Sequence, residues 1–213
     1  ATLKAQLPEL EKQIRATLEK RVVKPEAFHL LKSVSLKGPK GVQFKPQKDG
    51  SFLVTGANPT KAEYTLEFST DVKEITGVKI EALPDKSLKA NGPGRTAHGN
   101  FVLNDVSVYA TGGVKFNAKK HRVAFSRARA DFAQDKWPAA NAIDGKVAEG
   151  NQGTGWAISP QFGKPHQLIL TTAKAISFKG TTKIQVVMDQ QYGSQHTLGR
   201  FRITARTGQS ADD

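Results

Sequence analysis

The sequence predicts an all-β, antiparallel fold, a sandwich or barrel, preceded by one α-helix. Three observations carry this: nine short runs of alternating apolar and polar residues follow residue 25, turns of Gly, Pro, Asn and Asp separate them, and no helical period intervenes. The runs are 51–55, 64–69, 77–83, 101–110, 122–132, 155–159, 167–171, 183–188 and 201–207. The earlier residues read differently. Leu3, Leu7, Leu10, Ile14 and Leu18 recur at three- and four-residue steps, which predicts a helix from about Pro8, suited to a first turn, to Arg21. The resulting partition is a helical linker or stalk over 1–21, one β domain over 22–207 and a disordered tail over 208–213.

Parity along the runs adds detail. In 122–132, Val123 and Phe125 lie on one face while Ala128, Ala130 and Phe132 lie on the other, which predicts a β-bulge near Ser126 and Arg127. In the last run Phe201, Ile203 and Ala205 point inward, leaving Arg200, Arg202 and Arg206 as a solvated basic face. On that reading, replacing Arg202 and Arg206 by glutamine leaves the melting temperature nearly unchanged.

Charge is the most informative bulk property. The 213 residues contain 32 Lys and Arg against 19 Asp and Glu, a net charge of +13, which favours polyanions: nucleic acid, anionic polysaccharide or an acidic protein surface. Six Lys and Arg and no acid fall within 115–129. Cysteine is absent, which excludes disulfides and thiolate-bound zinc or iron–sulfur centres. No apolar run approaches the ~20 residues of a membrane span, and no signal-peptide core is present. The chain therefore works in the cytosol or belongs to a polypeptide whose targeting segment lies elsewhere.

Catalytic patterns are not found. The glycine-rich stretch 91–100 precedes a strand rather than a helix and lacks the Gly-Lys-Ser/Thr ending of a phosphate loop, so it reads as a structured turn with Arg95 and His98 as ligand-facing candidates. The five His show no metal-binding spacing, and His166 shares parity with Leu168 and Leu170, pointing inward to a buried partner. No Gly-x-Ser-x-Gly elbow and no marked carboxylate pair occur. Trp137, beside Lys136 in a polar loop, is a candidate for stacking on a sugar ring, whereas Trp156 reads as core.

Eight blocks in order, 49–59, 80–88, 92–95, 99–103, 130–134, 142–145, 155–158 and 196–202, resemble a module found in large planctomycete proteins that also carry cytochrome-c-like domains. Within it, Ala142-Ile-Asp-Gly145 followed by Thr154-Gly-Trp156 is similar to the Ala-x-Asp-Gly…Thr-x-Trp pattern of the discoidin, or coagulation-factor C-type, family. The resemblance implies a jelly-roll, galactose-binding-domain-like sandwich in an extracytoplasmic setting. It also implies a structural calcium near Asp144 and Thr154, with no other cofactor required. The sequence departs from the family where an acidic ligand often sits, since Arg200-Phe201-Arg202 stands there, and Arg200 becomes a candidate partner of Asp144.

Together these readings predict a non-catalytic carbohydrate-binding module favouring anionic polysaccharide, with Arg95, His98, Lys136, Trp137, Arg202 and Arg206 at the ligand. The alternative is a domain that docks onto neighbouring domains of the same polypeptide. Nucleic-acid binding is a weaker third, because charge alone speaks for it.

Overall fold

The computed structural model describes residues 7–14, 24–147 and 154–209. Residues 7–14 form a helix, α1, with every residue exposed; the remainder of the stretch expected to be helical, 15–21, lies outside the described residues. Two antiparallel sheets hold the rest of the molecule, making it a β-sandwich. The larger contains β1 (Ala27–Leu30), β3 (Val42–Pro46), β4 (Phe52–Gly56), β6 (Ile75–Ala82), β9 (Phe125–Ala130), β11 (His166–Ile176) and β13 (Arg200–Thr207). The smaller contains β2 (Lys32–Lys37), β5 (Ala62–Thr70), β8 (Asp105–Thr111) and β12 (Thr182–Gln190). A short pair, β7 (Val102–Leu103) and β10 (Trp156–Ala157), closes one end.

Strand alternation builds the core. Ile184, Val186 and Met188 of β12 and Tyr64, Leu66 and Phe68 of β5 face Val78, Ile80, Leu168, Leu170, Phe201 and Ile203 across the gap, all buried in one cluster. Rings interlock between the sheets: Tyr64 stacks on Phe201 with centroids 6.1 Å apart, and Phe52 lies 6.3 Å from Phe68. Each such fully buried side chain contributes about 1.5–3 kcal/mol by leaving water.

All nine expected runs carry strand. The bulge also falls where the parity change put it, because Thr171 pairs with Arg127 and Thr172 with Phe125, leaving Ser126 as the extra residue. The strands β1, β2 and β3 were not anticipated; none of their residues is fully buried, which hides the alternation. At the other end of the chain, Gly208 and Gln209 are tied in rather than disordered: Thr76 Oγ1 donates to the Gly208 carbonyl at 2.6 Å and Gln209 N to that of Lys24 at 2.9 Å.

In the larger sheet the strand order is β3-β4-β13-β6-β11-β9, and β1 joins β13 on the same side as β4. β4 covers the start of that edge of β13 at Arg200 and Phe201, and β1 covers its end from Thr204 to Thr207. β8 and β9 end their respective sheets.

Candidate functional site

Four connections at one end of the sandwich bring together side chains that are far apart in sequence. They are the 83–101 segment between β6 and β7, the 131–138 loop after β9, the loop before β11 and the β12–β13 loop. Backbone bonds fix their relative positions: Val102 N donates to the His196 carbonyl at 3.1 Å, Gln134 N to that of Ala157 at 2.8 Å, and Trp137 N to that of Gln134 at 2.9 Å. Asn104, fully buried, accepts from Gln191 N and Tyr192 N at 2.7 and 3.1 Å and so anchors the β12–β13 loop.

The result is a continuous aromatic run. Trp137 meets Tyr192 edge-on at 5.4 Å, Tyr192 meets His196 at 4.6 Å, His196 meets His98 at 5.6 Å, and His98 meets Phe162 at 5.3 Å. Beside it lies a cleft of about 260 Å³ lined by Asn100, Val102, Gln134, Trp137, Tyr192 and His196. The Asn100 carboxamide donates to Gln134 Oε1 at 3.4 Å and accepts from Ile158 N at 3.2 Å, while Gln134 Oε1 also accepts from Ser159 N at 3.2 Å. Those bonds orient the Gln134 amide so that its NH₂ group remains a donor for a guest.

His196 supplies the complementary acceptor. Its Nδ1 bonds the Gly193 carbonyl at 2.9 Å, which places the proton there and leaves Nε2 as a lone-pair acceptor. Burial pushes the imidazole pKa down, with the charge of nearby His98 adding to the effect, so the neutral ring is the form present at neutral pH.

The glycine-rich turn shapes this end. Gly94 N bonds the Gly99 carbonyl at 2.8 Å, and a Cβ on Gly94 would stand 1.9 Å from the Asn100 carbonyl oxygen, a backbone atom with no freedom to yield. Gly94→Ala is expected to cost about 1–3 kcal/mol through overpacking. Because Asn100 and His98 share the turn, the cleft should be disturbed together with it; a thermal melt identical to wild type would refute this.

Other residues singled out in the sequence take varied places. His98 is exposed within the aromatic run, and Lys136 is exposed next to Trp137 with a positive φ of 66°. Trp137, expected in an open polar loop, is only 9% exposed, packing on Val102 and Ala157 and presenting its remaining surface to the cleft. Arg95 is committed to the fold, since its guanidinium donates to the carbonyls of Ala57 at 2.6 Å and Gly56 at 3.1 Å.

The expected basic face on β13 is not a solvated one. Arg202 forks onto Glu81 at 2.7 and 3.0 Å and donates to the Asp49 carbonyl, holding its own pKa up. Burial opposes the ionisation of Glu81, but the Arg202 hydrogen bond and the charge of Lys79 outweigh it and keep the carboxyl below its ordinary range. Arg200 pairs with Asp49 at 2.8 Å and Asp85 at 3.3 Å, rather than with Asp144.

Arg206 is 0% exposed. It lies across Gly77, whose missing side chain makes room, to donate to Thr171 Oγ1 on β11 at 2.8 Å. Glu26 then bridges Arg206 at 2.7 Å and Arg129 at 2.9 Å, so one carboxylate joins β13 to β9 across the intervening strands. Alternation placed Arg202 and Arg206 correctly on the outer side of the strand, but carboxylates brought by β1 and β6 cover that side.

Asp144 Oδ1 accepts from Lys146 N at 2.8 Å, and Thr154 receives the Asn104 carboxamide on its carbonyl at 3.0 Å and its hydroxyl at 3.4 Å. Asp105 accepts from Gly145 N at 3.1 Å, and its burial pushes its pKa up. Among the described residues these oxygens take backbone, amide and hydroxyl donors, and no group of three His, Asp or Glu is gathered for a metal ion.

Asn100, Gln134, Tyr192, His196 and Phe162 carried no signal that the sequence reading used. One was available for two of them: Tyr192 and His196 sit in a polar, glycine-containing loop at a strand end, the same context that singled out Trp137. No protein-family model matches the chain, and a search of curated proteins finds no match.

Proposed function

We propose that this domain is a non-catalytic carbohydrate-binding module and that the aromatic cleft at the end of the sandwich holds the sugar. The observation that carries this reading is the pairing of a five-ring aromatic run with an oriented carboxamide donor and a neutral imidazole acceptor. Ring faces and edges suit the C–H surface of a pyranose, and fixed donors and acceptors suit its hydroxyls. This chemistry fits a neutral sugar. The preference for anionic polysaccharide loses its support at β13, where Arg202 and Arg206 are internally paired, and at this cleft Lys136 next to Trp137 is the exposed cation that still favours it. The discoidin-like resemblance is consistent with the reading but rests on sequence blocks alone.

A glycan array at low and high salt tests it. Binding of a neutral glycan should change little with salt, because hydrogen bonding and stacking are weakly screened compared with ion pairing. Gln134→Ala and His196→Ala should each weaken binding by about tenfold, the worth of one well-made bond, and Gln134→Ala should also lower the melting temperature, because Asn100 and Ser159 N lose their acceptor. Acid should act through His196. Its folded pKa is lowered, so stability declines as pH falls through the unfolded value of 6.5, and sugar affinity declines once the folded imidazole takes up its proton. Failure of the wild-type domain to retain any glycan, or wild-type affinity in both variants, would sink the proposal.

A further inference from the structure

The opposite end of the same strands carries a second cleft of about 540 Å³ between the edges of the two sheets. Its floor is apolar: Ile176 is buried in the main core, and Val123 and Phe178 pack against that core. Its rim is cationic, formed by Lys120, Arg122 and Lys174, all exposed, and no carboxylate lines it among the described residues. The rim contrasts with β13, where every arginine meets an acid. Lys120 is held in place by α2 (Ala118–His121), whose first turn is capped by Asn117: the Asn117 Oδ1 accepts from Lys119 N and Lys120 N, each at 3.1 Å. His121 Nδ1 accepts from Asn117 N at 3.0 Å, so its proton sits on Nε2 as one more donor at the cleft. Residues 120–124 of the acid-free segment 115–129 line this cleft.

We propose that this cleft is a binding site, separate from the aromatic one, for a small amphiphilic anion. An apolar body rests on Val123, Ile176 and Phe178, and a carboxylate or sulfate head faces Lys120, Arg122 and Lys174. Neither half of the cleft explains the other alone. A surface that bound free anions has no use for an apolar floor open to solvent, and a neutral apolar guest has no use for a rim of three exposed cations. The volume lies within the range of pockets that enclose small ligands.

The test uses octanoate as the probe, with octan-1-ol and inorganic sulfate as controls, followed by amide chemical-shift mapping on the whole chain. The expected result is shifts confined to 120–124 and 173–178, with octanoate binding about tenfold more tightly than either control, since a charged hydrogen bond and the chain's burial each contribute that much. Lys120→Gln with Lys174→Gln should remove most of the difference between octanoate and octanol while leaving the melting temperature unchanged. Phe178→Ala should weaken octanoate and octanol alike. Equal affinity for octanol and octanoate, equal affinity for sulfate, or shifts centred on Tyr192 and His196 would overturn the proposal. So would retention on phosphatidylglycerol vesicles without binding of monomeric octanoate, which would assign the cations to a membrane surface. Neutral-glycan binding at the other end is unaffected by any of these outcomes.

Discussion

Glu26→Ala is expected to destabilise the domain by about 3–5 kcal/mol, because removing one member of a buried ion pair leaves its partner's charge without compensation. The partner is Arg206, whose side chain is fully enclosed, and Glu26 also holds a second cation, Arg129. Burial already pushes the Arg206 pKa down, and Arg129 adds to that push while Glu26 opposes it. Arg206→Met should cost far less, since an apolar side chain of similar length can fill the groove over Gly77 without a charge to neutralise. Denaturant titration of the two variants measures both effects. The ranking is the decisive part: an Arg206→Met variant less stable than Glu26→Ala would show that the guanidinium's hydrogen bonds, rather than its uncompensated charge, dominate. The same geometry reverses the expectation that glutamine at positions 202 and 206 is silent, because Arg206 is internal and Arg202 is bidentate on Glu81.

Trp156→Ala should have an effect of similar size, about 3–5 kcal/mol, as large-to-small changes of buried aromatics do. The indole is completely buried, its edge meets Phe101 at 5.0 Å, and its Nε1 donates to the Phe132 carbonyl at 2.8 Å. Alanine would open a cavity and strand that carbonyl. For a domain of this size the loss corresponds to a drop of roughly 6–20 °C in melting temperature. Sugar binding should fall with it, because Ala157, the next residue on β10, supports Trp137 and bonds Gln134. A melting temperature within a degree or two of wild type would show that the surrounding core collapses around the missing ring.

The two tryptophans show what was legible in the chain. Trp156 follows the family-like Thr-Gly-Trp turn and lies on an alternating run, so burial was readable. Trp137 sits among Asp135, Lys136 and Pro138, and only the fold reveals that Val102 and Ala157 come from other elements to cover it. His166 was likewise readable from parity, and it is indeed buried with Asp131 at 3.0 Å and the Gln161 carbonyl at 2.8 Å. Strand parity also placed the bulge near Ser126 and Arg127, and Ser126 is the extra residue. What parity cannot state is what lies over a strand's outer face. Glu26 reaches Arg206 across 180 residues of chain, a separation that no local pattern encodes, and the aromatic run draws on four separate loops for the same reason. Three strands escaped notice because their core contribution is small: in β2 only Leu36 packs on the main cluster, in β3 Val42 and Phe44.

The pairing of β1 with the end of β13 has a mechanical side. Ala27 opposes Thr207 and Leu30 opposes Thr204, so the first and last described residues of the sandwich, near Lys24 and Gln209, lie together at one corner. Tension applied between those two points would act at right angles to the strands and load their rungs in succession, opening β1 like a zip rather than shearing all of its bonds at once. The rung that meets the load soonest after Gln209 is the one beside Glu26. The ionic clamp is thus also the tab from which the sandwich would be pulled open.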